Sequence, residues 1–324
     1  MTKRPRILYM GTPEFAVAPL RKLKEAGYDI AAVVTAPDRP AGRGKKIRQS
    51  AVKIFAEQEG IEHILQPEKL RDPDFLKELE AVEAELQIVV AFRMLPEAVW
   101  RIPAMGTFNL HASLLPRYRG AAPINHVLIN GEEQTGVSTF LIDEQIDTGN
   151  ILLQKSTSIG PGENAGELHD RLMELGASLV LETVQGLEQG SLKARNQDHF
   201  MKPGEVLKAA PKIHKSDCRI DWNNKGIEIF NLIRGMSPYP AAFTSLQREN
   251  QAPLLVKIYQ GSFREEQHKL EAGSLQTDEN QSLEIATSDG FYSVESLQME
   301  GKKRMSTEDF LRGTRLISGQ ARFS

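Results

Sequence analysis

With one cysteine, Cys218, in 324 residues, the chain has no thiol pair, and this excludes intramolecular disulfides and cysteine-based zinc sites. The lone thiol is read as a structural residue. No apolar run approaches the roughly 18 residues needed to span a bilayer. The basic start Arg4-Pro5-Arg6 leads into a short apolar stretch with no small-residue cleavage site, so a cytoplasmic location is expected. The charge is nearly balanced at −3, which argues against a chain wrapped in nucleic acid and confines any RNA contact to a local patch. The seven histidines are scattered with no i, i+4 pair, and no metal site is expected. The phosphate-cradling G-x-G-x-x-G pattern is also missing, so a nicotinamide cofactor is not expected.

What is present is the composition of an ordinary globular protein, 40% hydrophobic and 26% charged, in a chain long enough for two cores. Residues 6–12 form an apolar run closed by Gly11, followed by a helical stretch over 15–26 and a second strand-like run over 30–35, which together make a βαβ unit. Further strands are expected over 61–66, 86–92, 107–110, 137–142 and 151–157, with helices over 50–59 and 73–82. The first 160 residues therefore read as a doubly wound α/β sheet. From Glu167 to Leu187, Leu168, Leu172, Leu175, Leu179 and Val184 recur at helical spacing, predicting a long amphipathic helix that ends at Gly190. Residues 191–211 lack periodicity and read as a linker between a domain over 1–190 and another over 212–324. The second shows short β-rich runs over 254–259, 282–287 and 291–297, broken by turns, with helices near 225–234 and 307–312. That pattern predicts a small, mostly β, barrel-like domain.

Three stretches carry chemistry. In Phe108-Asn109-Leu110-His111, the residues at i and i+2 point to the same side of an extended strand, so an amide and an imidazole become neighbouring donors. Taken alone, the pair equally fits a core histidine beside a capping asparagine. The second stretch, Asp143-Glu144-Gln145-Ile146-Asp147-Thr148-Gly149, is an acidic loop between apolar runs, and Asp147 by itself would read as an ordinary turn residue. In the third, over 37–48, the basic residues Arg39, Arg43, Lys45, Lys46 and Arg48 face one acid, Asp38, giving a local charge of +4. Gly42 and Gly44 supply backbone freedom there.

Taken together and in this order, the strand ending in Gly11, the segment Asn109-Leu110-His111-Ala112-Ser113-Leu114-Leu115-Pro116 and the Asp147-Thr148-Gly149 loop resemble the folate-dependent formyltransferases. The resemblance covers nearly the whole chain. It implies a doubly wound Rossmann-like formyltransferase domain followed by a small OB-like β-barrel. It also implies 10-formyltetrahydrofolate as co-substrate, with Asn109, His111 and Asp147 as the catalytic group. The pterin is then expected against Phe92, Arg93, Met94 and Leu95 and against Ser113, Leu114, Leu115 and Pro116. Many tRNA-modifying relatives have Tyr-Gly where this chain has Phe92-Arg93. The basic loop resembles the one that such relatives insert at the acceptor end of the initiator methionyl-tRNA, which makes that tRNA the expected acceptor and Arg39, Arg43, Lys45, Lys46 and Arg48 its contacts. Formylation of an amino sugar or other small amine, and an RNA-binding role without catalysis, are the competing readings.

Overall fold

The computed structural model describes residues 4–41, 46–278, 281–314 and 316–324, and the loop residues Arg43 and Lys45 lie outside these. The chain forms two compact units. The first comprises residues up to Gly120, Gln134–Ser158 and His169–Ala209, and the second comprises Ala121–Glu133, Ile159–Leu168 and Ala210–Ser324.

In chain order the elements begin with β1 (Ile7–Gly11), α1 (Val17–Glu25), β2 (Ile30–Val34), β3 (Arg39–Ala41), β4 (Lys46–Arg48), α2 (Ala51–Gln58) and β5 (Ile64–Leu65). They continue with α3 (Pro73–Ala81), β6 (Leu86–Val90), α4 (Glu97–Trp100), β7 (Thr107–His111), α5 (Pro123–Ile129), β8 (Gln134–Leu141), β9 (Ile151–Ser158) and α6 (Ala165–Glu188). One seven-stranded sheet runs in the order β5-β2-β1-β6-β7-β8-β9. Strands β5 to β7 of that order are parallel, and the β7–β8 and β8–β9 pairs are antiparallel. Strands β1, β2 and β6 are buried along their whole length, as expected of apolar runs covered on both faces. The helices start where their caps dictate: Ser50 accepts from the Lys53 amide to open α2, and Asp72 followed by Pro73 opens α3. The chain order of the parallel strands reverses between β1 and β6, and the carboxyl ends of the strands beside such a reversal are where ligands bind in open α/β sheets.

Gly11 is a packing device at this edge. A Cβ there would come within 2.6 Å of the Ala16 Cβ, because the turn over Glu14–Ala16 packs onto the strand end. The buried Tyr9 hydroxyl donates to the Ala16 carbonyl at 2.6 Å and holds that turn in place.

The remaining elements are α7 (Gly226–Met236), β10 (Ala242–Arg248), β11 (Leu254–Glu265), β12 (Leu275–Thr277), β13 (Leu283–Ala286), β14 (Gly290–Met299), β15 (Met305–Ser306), α8 (Thr307–Gly313) and β16 (Ala321–Phe323). Their antiparallel sheet runs β12-β13-β14-β11-β10-β16, with β15 beside β14, and a bridge between Ser274 and Arg322 brings its two ends nearly to closure. The unit has a core of its own, built on Trp222, Ile229, Ile258, Tyr292, Leu297, Phe310 and Phe323. Cys218 belongs to that core, 2% exposed, and burial pushes its thiol up from the ordinary range. Among the described residues no helix is long and apolar enough to cross a membrane, and no cluster of three His, Cys, Asp or Glu side chains is placed to hold a metal ion.

Two segments differ from the sequence expectation. Within the basic stretch over 37–48, read as a loop, Arg39–Ala41 and Lys46–Arg48 pair as the antiparallel strands β3 and β4. In the stretch read as a linker, residues as far as Ala209 belong to the first unit. Replacing Gly11 by Ala is expected to destabilise the protein by about 1 to 3 kcal/mol through overpacking against Ala16, read as a lowered denaturant midpoint.

Candidate active site

Asn109 and His111 stand on the same side of β7, and their cross-strand neighbours on β8 are Phe140 and Ser138. The opposite side of the strand packs under α6, where Leu110 approaches Gly176 so closely that a Cβ would lie 2.7 Å from it. The Asn109 carboxamide has no hydrogen-bond partner among the described residues and is half-buried, so its N–H groups are free for a ligand. His111 is buried. Its Nε2 lies 2.8 Å from the Tyr118 carbonyl, and with that oxygen accepting, Nε2 carries a proton. Its Nδ1 faces the Asp147 carboxylate at 3.8 Å, with the two side chains 7% and 14% exposed. That distance exceeds a direct hydrogen bond.

The loop after β7 folds back over this side of the sheet. The Ser138 hydroxyl donates to the Ser113 carbonyl at 2.6 Å and accepts from the Leu115 amide, while the Gln154 side chain donates to the Leu115 carbonyl. The loop then turns through Tyr118 in a left-handed conformation, φ 60°, which presents its carbonyl to His111. Asp147 is left-handed as well, φ 55°, and its Oδ2 accepts from the Gly120 amide at 2.9 Å. Gly149 passes directly against the Leu141 carbonyl, which a Cβ would overlap, so the last position of the Asp147-Thr148-Gly149 stretch admits no side chain. Non-glycine residues held at positive φ are uncommon, and Ala91 after β6 adds a third to this edge.

Residues 195–209 are laced to the same loops. Arg195 exchanges two backbone bonds with Ile151, Phe200 packs against Leu115, Phe140 and Ile151, and the Tyr118 amide donates to the Lys208 carbonyl. Arg117 grips Glu205 through both carboxylate oxygens, and Arg119 together with the Asp147 loop meets the buried Gln197 side chain. Neither Gln197 nor Glu205 stood out in the sequence, because they lie far along the chain in an aperiodic stretch. The Gln itself was the only local signal.

A cleft of about 470 Å³ opens beside β6, walled by Leu70, Arg93, Met94, Leu95, Trp100 and Glu144. Its size suits a small-molecule site, and its walls combine apolar surface with a few polar groups. Arg93 donates to the carbonyls of Pro67 and Glu68 and so ties the wall after β6 to the segment before α3. Partial burial, and secondarily the Arg39 guanidinium, lower the pKa of Arg93. Of the residues expected to hold a pterin, Arg93, Met94 and Leu95 line this cleft, whereas Phe92, Ser113, Leu114, Leu115 and Pro116 are not among its walls. Leu115 instead fills core space against Phe140 and Ile151, and the Ser113 hydroxyl is taken by the Arg117 carbonyl. On β3 and β4, Arg39 and Arg48 are exposed and stand directly opposite each other, and Lys46 pairs with Ala41. A like-charge pair across two strands is unfavourable unless an anion lies over it.

Comparison with known proteins agrees along nearly the full length. Residues 4–184 match the family described as formyl transferase, and residues 212–315 match that described as formyl transferase, C-terminal domain. A methionyl-tRNA formyltransferase of Parabacteroides distasonis is 51% identical over 314 residues, 97% of each chain. One of Flavobacterium johnsoniae is 51% identical over 308 residues, 95% of this chain and 96% of that one. Among solved structures, a sugar 3N-formyl transferase named WlaRD superposes with a TM-score of 0.63 at 22% identity, over 93% of this chain and 100% of that one. HypX of Aquifex aeolicus in complex with tetrahydrofolic acid gives 0.60 at 18% identity, over 95% of this chain and 47% of that one. These two likenesses are likenesses of fold.

The Arg117 guanidinium, followed by the Lys202 amide, holds the Glu205 carboxyl below the usual range. A lowered carboxylate pKa contributes stability above the ordinary range near pH 4 and loses it as pH falls through the folded value. Unfolding by denaturant at pH 7 and at about pH 3 should therefore show a smaller acid loss for Glu205→Gln than for the wild type.

Proposed function

The chain belongs to the formyl transferase family, and on that footing we propose that it transfers the formyl group of 10-formyltetrahydrofolate to the α-amino group of initiator methionyl-tRNA in the cytoplasm. The observation that carries this reading is the free Asn109 carboxamide beside His111, whose Nδ1 faces Asp147, in a chain half-identical to methionyl-tRNA formyltransferases over nearly its full length. The folate supplies an activated one-carbon unit, and the protein supplies position, hydrogen bonds and a proton path. The apolar walls at Leu70, Leu95 and Trp100 suit a flat heteroaromatic ring, and Glu144 gives an acceptor for its N–H groups.

When the amine attacks the formyl carbon, negative charge gathers on the formyl oxygen. In this reading an Asn109 N–H and the proton on His111 Nδ1 donate to that oxygen. Each such donor is worth roughly 3 kcal/mol when it acts mainly in the transition state. The Tyr118 carbonyl holds Nε2, which leaves Nδ1 as the nitrogen that turns to substrate. The attacking amine must shed a proton and the leaving nitrogen must gain one. In this reading Asp147, too far from His111 for a direct bond, takes the first proton through an intervening water, and that proton is passed on to the leaving nitrogen.

Arg39 and Arg48 on β3 and β4, together with Lys46, Arg43 and Lys45, contribute cations for the acceptor end of the tRNA, and an RNA phosphate between Arg39 and Arg48 would relieve their repulsion. In this reading the domain over 212–324 contacts the body of the tRNA.

Incubation with 10-formyltetrahydrofolate and, separately, methionyl-tRNA, uncharged tRNA, free methionine or an amino-sugar nucleotide should give formyl incorporation into methionyl-tRNA alone. Incorporation into the sugar nucleotide instead would overturn the acceptor assignment. Asn109→Ala should lower kcat at least about a hundredfold with folate affinity within about twofold of wild type, since its donor matters mainly once the oxyanion forms. For Arg48→Ala, kcat/KM for methionyl-tRNA across a salt series should show a log–log slope flatter by about 0.7 for each phosphate that the arginine no longer neutralises.

A further inference from the structure

Gln197 is 2% exposed and uses its side-chain amide to the full. Its Nε2 donates to the Asp147 carbonyl and to the Gly149 carbonyl, both at 2.8 Å. Its Oε1 accepts from Arg119 Nε at 3.1 Å and from Nη2 at 2.7 Å. Two donors and two lone pairs are the whole capacity of a carboxamide, so the partners also settle its orientation: a flipped amide would set N–H against guanidinium and oxygen against carbonyl. The side chain is delivered from a well-anchored backbone. Two residues earlier Arg195 pairs with Ile151 in both directions at 2.8 Å, the Asn196 side chain caps the turn by accepting from the Asp198 amide, and Phe200 packs into a small apolar cluster.

The contacts fall on the backbone that sets the Asp147 carboxylate. Asp147 occupies the left-handed region, which aspartate reaches more readily than most residues but still at a cost, and its surroundings hold it there. Two bonds do so from different directions: the Gly120 amide fixes the carboxylate, and Gln197 fixes the carbonyl of the same residue. Arg119, the other partner of Gln197, directly precedes Gly120, so one amide braces both loops that meet at the carboxylate. We infer that Gln197 is a positioning residue for the formyl transfer: it holds the Asp147 carboxylate at its working distance from His111, and the segment around it is part of the active-site architecture. The inference rests on the role proposed above for Asp147.

Two variants separate positioning from mere stability. Gln197→Met keeps the volume and removes all four bonds, whereas Gln197→Glu keeps acceptors for Arg119 and removes the donors to the Asp147 loop. Each is expected to lower kcat at least about tenfold while KM for folate and for methionyl-tRNA stays within about twofold. Should Gln197→Met fold poorly, Gln197→Glu carries the same reading. The deciding measurement is a double-mutant cycle with Asp147→Asn, because residues that act through one another are not additive. Once Asp147→Asn is in place, Gln197→Met should cost less than about twofold more. Leu179→Ala, a buried truncation in α6, should lower Tm and leave both kcat and this cycle unmoved. Losses that multiply in the double variant, or wild-type kcat in both Gln197 variants while Asp147→Asn is impaired, would overturn the inference alone. Wild-type kcat in Asp147→Asn would remove the Asp147 role and the inference with it.

Discussion

A carboxylate that is only 14% exposed, set beside a buried imidazole, is the constraint around which the first unit is built. Withdrawing such a charge from water is costly unless hydrogen bonds replace the solvent. The Gly120 amide replaces one of them, and it stands there because the chain after β7 doubles back across the sheet. That return is secured by Ser138 and Gln154, which satisfy the Ser113 carbonyl and both polar groups of the Leu115 backbone. The same return brings the Tyr118 carbonyl to His111 Nε2 and leaves Nδ1 turned to the Asp147 carboxylate. The ring, the carboxylate and the folded-back loop are thus one construction, and none of them keeps its geometry without the others.

The parallel sheet supplies the platform. Strand β6 ends beside the cleft and β7 ends at His111, at adjacent carboxyl ends of the parallel sheet. The left-handed backbone at Ala91, Tyr118 and Asp147 concentrates at this edge, where the chain must turn sharply while still aiming a particular atom. Its cost, of order 1 kcal/mol or more at each position, falls on segments braced by buried hydrogen bonds. Arg93 serves the same purpose at the cleft, closing the 67–68 carbonyls that a smaller residue would leave to solvent. The second unit stands on its own core around Trp222 and Phe310, and its nearly closed sheet leaves little free edge.

Periodicity along the chain determined the elements that depend on local pattern. The apolar runs of β1, β2 and β6 and the helical spacing of α6 are visible because burial on a sheet face or helix stripe imposes a period. The same-side placement of Asn109 and His111 follows from the two-residue repeat of a strand, and the motif order from Asn109 to Gly149 was enough to indicate the chemistry. Short strands such as β12, β15 and β16 carry too few residues to establish any period, and the pairing of β3 with β4 hides in a charged stretch because it is made by backbone groups. Whether Leu115 faces a ligand or the core cannot be read from its neighbours in sequence, since Phe140 and Ile151 decide it. The largest share that only the tertiary structure decided is the bracing of Asp147, which joins Gly120, Arg119 and Gln197 across as many as 78 residues of chain. Bonds to main-chain carbonyls and amides leave almost no mark on residue identity, so their partners become visible only once the fold has brought them together.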